Sequence, residues 1–202
     1  MRRMAVIVGL CALLLPMAAW ADGMDFTNQF GVVTITNAGI VSSRSELKSF
    51  DGVTAPRGRA LGSVYFSTGA LTSGGIWTGG TFSSKGSSFL VTCAGNYGQP
   101  KGVVFSGAFV GPISWTLVSH GQYYYVFTLS GTIKGELYTG RMVTGTTTQS
   151  IYAYQNQWFR DQKGGVSLGN TKLSVPEPGT LGLLGTGLLA LAGTMRRKLL
   201  RS

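Results

Sequence analysis

Residues 102–119 read Gly-Val-Val-Phe-Ser-Gly-Ala-Phe-Val-Gly-Pro-Ile-Ser-Trp-Thr-Leu-Val-Ser. Two runs rich in β-branched and aromatic residues flank a Gly-Pro pair. The pattern predicts two strands, Gly102 to Val110 and Ile113 to Ser119, with Gly111-Pro112 as the turn between them. Similar runs fill the chain on either side: Gly31 to Thr36, Leu61 to Ser67, Gly75 to Phe82, Ser87 to Ala94, Gln122 to Ile133, Glu136 to Thr144, Thr146 to Phe159 and Val166 to Leu173. Asn37-Ala38-Gly39, Ser73-Gly74-Gly75, Asn96-Tyr97-Gly98 and Gly164-Gly165 supply further turn signals, whereas residues 22–30 and Asp51 to Arg59 read as loop or arm. No stretch between residues 22 and 174 carries a sustained i, i+3, i+4 apolar stripe. Many short strands with regular turns predict an all-β fold, a single antiparallel β-sandwich or jelly-roll-like domain over residues 22–174.

Composition narrows the chemistry. The chain has 202 residues and 31 glycines, without a strict third-residue period that would signal collagen. Its many aromatic residues argue against disorder. Residues 22–175 carry eleven Lys/Arg against six Asp/Glu, a basic balance that favours acidic partners such as anionic polysaccharide or lipopolysaccharide. The basic residues are scattered, so nucleic acid is not an expected partner. Cys93 is the one cysteine beyond residue 11, and it reads as a small hydrophobe within a strand. One histidine, His120, and one such cysteine cannot build the usual four-ligand zinc cage, so no metal and no cofactor is expected. The six acids are dispersed and no phosphate-binding loop is present, so the chain is expected not to be an enzyme, an enzyme with a dispersed active site being the remaining alternative.

Both ends read as targeting segments. Arg2 and Arg3 precede an apolar run from Met4 to Leu15, then Ala19-Trp20-Ala21 places small residues where signal peptidase cuts. Residues 1–21 are therefore expected to form a signal helix handled by the Sec translocon and signal peptidase. At the other end, Val175-Pro176-Glu177-Pro178-Gly179-Thr180 leads into sixteen uncharged residues, Gly179 to Thr194, and then Arg196, Arg197 and Lys198. Each proline locks φ and removes an amide donor, which holds the Pro-Glu-Pro segment extended. Sixteen helical residues span roughly 24 Å, somewhat short of the ~30 Å hydrocarbon core. A transmembrane helix over residues 179–195 is expected, with snorkelling arginines closing the gap and the basic tail 196–202 remaining cytoplasmic.

This tail resembles the PEP-CTERM sorting signal of Gram-negative bacteria, a motif also labelled an ice-binding protein C-terminal domain. The resemblance covers residues 175–202, with Pro176, Glu177 and Pro178 as the sorting motif and Arg196, Arg197 and Lys198 as the basic stop. It implies an exosortase as processing partner, transient anchoring in the cytoplasmic membrane, delivery to the cell surface, and a setting of exopolysaccharide and biofilm. Ice binding is not expected: Thr34-Ile35-Thr36 and Thr146 to Thr148 do not repeat at a constant interval. The expected function is that of a non-enzymatic surface or matrix protein. The alternative is a carbohydrate-binding module for acidic exopolysaccharide, with Tyr124, Trp77 and Trp115 as stacking surfaces and Arg57 and Arg59 as cationic contacts. Within Tyr123-Tyr124-Tyr125-Val126-Phe127, the period of two puts Tyr123, Tyr125 and Phe127 on a core face and Tyr124 on the other.

Overall fold

The computed structural model describes residues 23–154 and 162–174. These residues form eleven strands and no helix: β1 (Gly23–Thr36), β2 (Gly39–Phe50), β3 (Val53–Thr54), β4 (Gly62–Ser67), β5 (Leu71–Gly75), β6 (Gly79–Phe82), β7 (Ser88–Ala94), β8 (Lys101–His120), β9 (Tyr124–Leu137), β10 (Met142–Tyr154) and β11 (Lys163–Ser174). All pairings are antiparallel and all belong to one sheet. Going round that sheet, the order is β8-β7-β4-β2-β1-β11-β10-β9, and β9 pairs again with β8. The result is an eight-stranded up-and-down barrel in which β3 and the β5–β6 hairpin are side excursions. The expected all-β antiparallel class is present. The expected sandwich or jelly roll is replaced by closure, because β1 and β11 pair from Gly23↔Ser174 to Thr34↔Lys163 instead of ending two separate sheets. Closure removes the exposed edges that both strands would otherwise present. The signal helix and transmembrane helix expected at residues 1–21 and 179–195 lie outside the described residues.

Strand alternation explains the wall. On β9, Phe127, Leu129, Ile133 and Leu137 point inward and are buried, while Thr132, Lys134 and Glu136 between them are exposed. β10 repeats the scheme, with Val143, Thr147, Gln149, Ile151 and Ala153 buried and Thr146 and Thr148 exposed. Eight strands enclose a space that side chains can fill, and here rings fill it. Phe89 on β7 meets Phe26, Phe66, Phe105 and Phe109 at centroid distances of 5.8–6.2 Å. Trp115 stacks on Phe127 at 4.3 Å, and Phe82 meets Trp115 edge-on at 6.4 Å. Each such ring contributes about 1.5–3 kcal/mol by leaving water. The interior is thus mainly apolar, while the outer wall mixes Ser, Thr and Lys with exposed apolar residues such as Val32, Val41, Val110 and Leu168.

Five local expectations are corrected. Ser73, Gly74 and Gly75 lie in β5 rather than in a turn, and the turn at residues 76–78 divides the expected strand Gly75 to Phe82. Gly111-Pro112 is not a turn: β8 runs through it as one strand, with a register shift against β9 between Val110 and Ser114. On its other side β8 changes neighbour there, pairing with β7 up to Gly107 and with β6 from Ile113. A residue lacking an amide donor is tolerated where the ladder is already interrupted. Gly164 and Gly165 also lie within a strand, since the phenol end of Tyr152 occupies the space above Gly165, where a Cβ would come within 2.6 Å of Cζ. Residues 23–30 are not an arm but the first part of β1, held between β11 and β2. Finally, the run from Glu136 to Thr144 is split by a turn at Tyr138–Arg141, between β9 and β10.

One part of the interior is polar. Asn28 on β1 donates to Ser45 Oγ at 2.8 Å and to Gln149 Oε1 at 2.9 Å. Gln149 donates to Asn28 Oδ1 at 3.3 Å and to Thr147 Oγ1 at 2.9 Å, and Thr147 shares a proton with Thr171 Oγ1 at 2.8 Å. These groups are buried, so each bond replaces a hydration that folding removed. The pair Asn28–Gln149 reaches across β11 at Gly169, which is in register with both.

Candidate functional site

The residues expected at a glycan contact are dispersed by the fold. Trp115 is 1% exposed and belongs to the core, with its indole Nε1 donating to Ile76 O at 2.9 Å. It is therefore corrected from surface contact to core, because its position on β8 points inward. Trp77, in the turn of the β5–β6 hairpin, is half-buried and packs edge-on against Tyr125 at 5.9 Å. Tyr125 stacks in turn on Phe127, so Trp77 continues a column of rings rising from the core. Tyr124 begins β9 and is exposed, with Tyr154 as its cross-strand partner on β10. Arg57 and Arg59 are exposed in the loop between β3 and β4, on the side of the barrel where Gly23 and Ser174 meet. Tyr124 lies at the opposite end. Of the tyrosine run, Tyr125 and Phe127 face inward as expected, whereas Tyr123 is exposed in the preceding turn rather than on the core face. Ala19, Ala21, Pro176, Glu177, Pro178, Arg196, Arg197 and Lys198 lie outside the described residues.

A different set of side chains meets on the outer wall. Where β10, β11 and β1 run side by side, an open groove of about 470 Å³ is lined by Phe30, Val32, Tyr152 and Lys163, with Gly31, Gly164 and Gly165 between them. Val32 is opposite Gly165, and Gly165 is opposite Tyr152, so the groove crosses three strands in register. Tyr152 and Tyr154 meet edge-on at 5.7 Å, which continues the aromatic surface towards Tyr124. Phe30 is the unusual residue. It has φ of 60° and 64% of its surface is exposed. An exposed bulky side chain in the left-handed region costs of order 1–3 kcal/mol, which apolar burial does not offset here. The conformation follows from a bulge, since the β1–β2 register shifts between Gln29 and Val32.

Charge surrounds the groove. Lys48 Nζ stands 5.0 Å from the Phe30 ring centroid and donates to Glu46 Oε2 at 2.6 Å and to Arg59 O at 2.9 Å. The Arg57–Arg59 loop is thus tied to the groove rim through a backbone carbonyl rather than through its guanidinium groups. Lys48–Glu46 is the one ion pair among the described residues. Lys163 at the groove and Arg44, cross-strand from Val32, are exposed cations. Sequence reasoning passed over Phe30, Tyr152 and Lys163 because each is separate in the chain, and Gly164-Gly165 read as a turn.

Cys93 is buried, and loss of hydration pushes its thiol up to about 11. The neutral thiol behaves as a core hydrophobe rather than a nucleophile. His120 is exposed at the end of β8, its ring 6.2 Å from Tyr125. No group of three or more His, Cys, Asp and Glu side chains suited to a metal occurs among the described residues.

Against known families, the PEP-CTERM protein-sorting motif matches residues 174–198. The chain therefore carries that signal, which implies an exosortase as processing partner and export with processing at a membrane. No curated protein and no solved structure matches the chain.

Proposed function

We propose that a chain bearing this sorting motif is a non-enzymatic envelope protein of a Gram-negative bacterium, delivered to the cell surface and associated with exopolysaccharide or biofilm. The observation that carries the reading is the motif at residues 174–198, which begins where β11 ends at Ser174. The complementary signal is at the other terminus. Cleavage after Ala21 by signal peptidase would leave a single residue, Asp22, before β1 begins at Gly23. Both proposed processing segments thus flank the two strands whose pairing closes the barrel. In this reading the Sec translocon carries the chain across the cytoplasmic membrane, and residues 179–195 hold it there with Arg196, Arg197 and Lys198 inside. Exosortase then acts at Pro176-Glu177-Pro178, and the barrel leaves the membrane as an intact unit.

The test is intact mass and cell fractionation of the protein from its host, with Pro176, Glu177 and Pro178 native or all replaced by alanine. The native chain is expected to lose its tail and reach the surface, and the variant to stay full-length in the inner membrane. If both remain full-length in the membrane, the tail is an anchor only and the surface reading fails.

A further inference from the structure

We infer that the groove along Phe30, Tyr152 and Lys163 is a subsite for an acidic sugar unit of an extended polysaccharide. Three independent features converge on it. The first is conformational. Phe30 holds a left-handed backbone yet leaves most of its ring in solvent, so folding keeps an unfavourable conformation without burying the side chain it presents. Such outliers cluster where a ligand is gripped. The second is shape. Phe30, Val32 and Tyr152 line an open groove, with the Tyr152 phenol lying across the outward-facing Gly165, so a ligand can reach both rings from solvent along the outer wall. The aliphatic C–H face of a pyranose is apolar and slightly positive, and it lies well on the negative face of an aromatic ring. Tyr154 and Tyr124 extend that surface beyond one ring's length, which suits a chain of sugars.

The third feature is charge. Lys163 makes no ion pair with another described residue, and Lys48 lies over Phe30 at the opposite end of the groove. Glu46 offsets Lys48, so among the described residues Lys163 and Arg44 are the cations beside the groove without an ion pair. The described residues hold ten Lys/Arg and four Asp/Glu. A carboxylate-bearing sugar matches rings and cations together, whereas a neutral glycan would leave the cations unused. The inference rests on the surface-protein reading only for where such a polymer would be met.

The test is affinity electrophoresis of the full chain in detergent, through gels containing polygalacturonate or dextran, at low and high salt. Native protein is expected to be retarded by polygalacturonate in preference to dextran, and less so in high salt. Phe30→Asn is the decisive variant, because asparagine accepts the left-handed conformation. It should weaken retardation by roughly fivefold or more while its melting temperature holds or rises. Lys163→Gln should reduce the preference for the acidic polymer. Equal retardation of native and Phe30→Asn chains would overturn the proposal, as would no retardation of the native chain or equal retardation by both polymers. Native dimerisation abolished by Phe30→Asn, without polymer binding, would reassign the groove to a second copy. Sorting is scored separately in the host. A Phe30→Asn chain that is cleaved and exported but not retarded supports both readings, while a native chain that is retarded but never cleaved sinks the sorting reading alone.

Discussion

Gly169 has no side chain where two neighbours need the room. A Cβ there would lie 2.1 Å from both Asn28 Oδ1 and Gln149 Oε1, atoms that belong to the buried amide pair spanning β1 and β10. Gly169→Ala is therefore expected to break the pair and strand both amides away from water, costing about 2–4 kcal/mol. The measurement is the urea midpoint of the variant against the native chain. An unchanged midpoint would show that the amides rearrange freely. Removing both partners together, as Asn28→Ala with Gln149→Ala, should cost less than the sum of the single changes, since neither then leaves an unsatisfied group.

β8 shows what an element can absorb. It is twenty residues long, contains Gly111 at φ of 75° and Pro112, and still pairs with β9 on both sides of them. The interruption falls where β8 exchanges β7 for β6, so no continuous ladder is lost. Pro112→Ala is accordingly expected to change stability by less than about 1 kcal/mol. Trp115→Ala, three residues on, removes a ring stacked at 4.3 Å on Phe127 and should cost about 3–5 kcal/mol. Thermal melts of the two variants separate the readings. A Pro112→Ala loss as large as that of Trp115→Ala would mean that the proline holds a turn after all.

The whole molecule depends on its seam. β1 lies between β11 and β2, and its inward residues Phe26 and Asn28 join the aromatic core and the polar network respectively. Deleting residues 23–28 from the full chain should abolish cooperative unfolding and expose the edge of β11, which then invites intermolecular pairing. Near-ultraviolet dichroism and size-exclusion chromatography would report lost packing and aggregation. A monomeric deletion variant with native packing would show that this segment is dispensable. The seam also bears on processing, because both proposed cleavage regions abut it. An N-terminal cut only a few residues further in would remove part of a barrel strand.

Much of this is legible in the chain alone. Period-two alternation along Phe127 to Leu137 and the absence of helical stripes are local properties of the chain, and they determined an all-β antiparallel fold. The sorting motif was legible for the same reason: Pro176, Glu177 and Pro178 are contiguous and lie within the matched residues 174–198. Closure was not legible, because nothing local distinguishes a strand that ends a sheet from one that meets the opposite terminus. The same limit hid the true state of Gly111-Pro112 and Gly164-Gly165, where turn chemistry was overridden by partners more than ten residues away in the chain. It also placed Trp115 at the surface and missed Phe30, since inward or outward direction depends on bulges that shift register by one residue. Alternation is set by each strand's own backbone, whereas partner, register and the meeting of Phe30 with Tyr152 and Lys163 exist only once distant strands have paired.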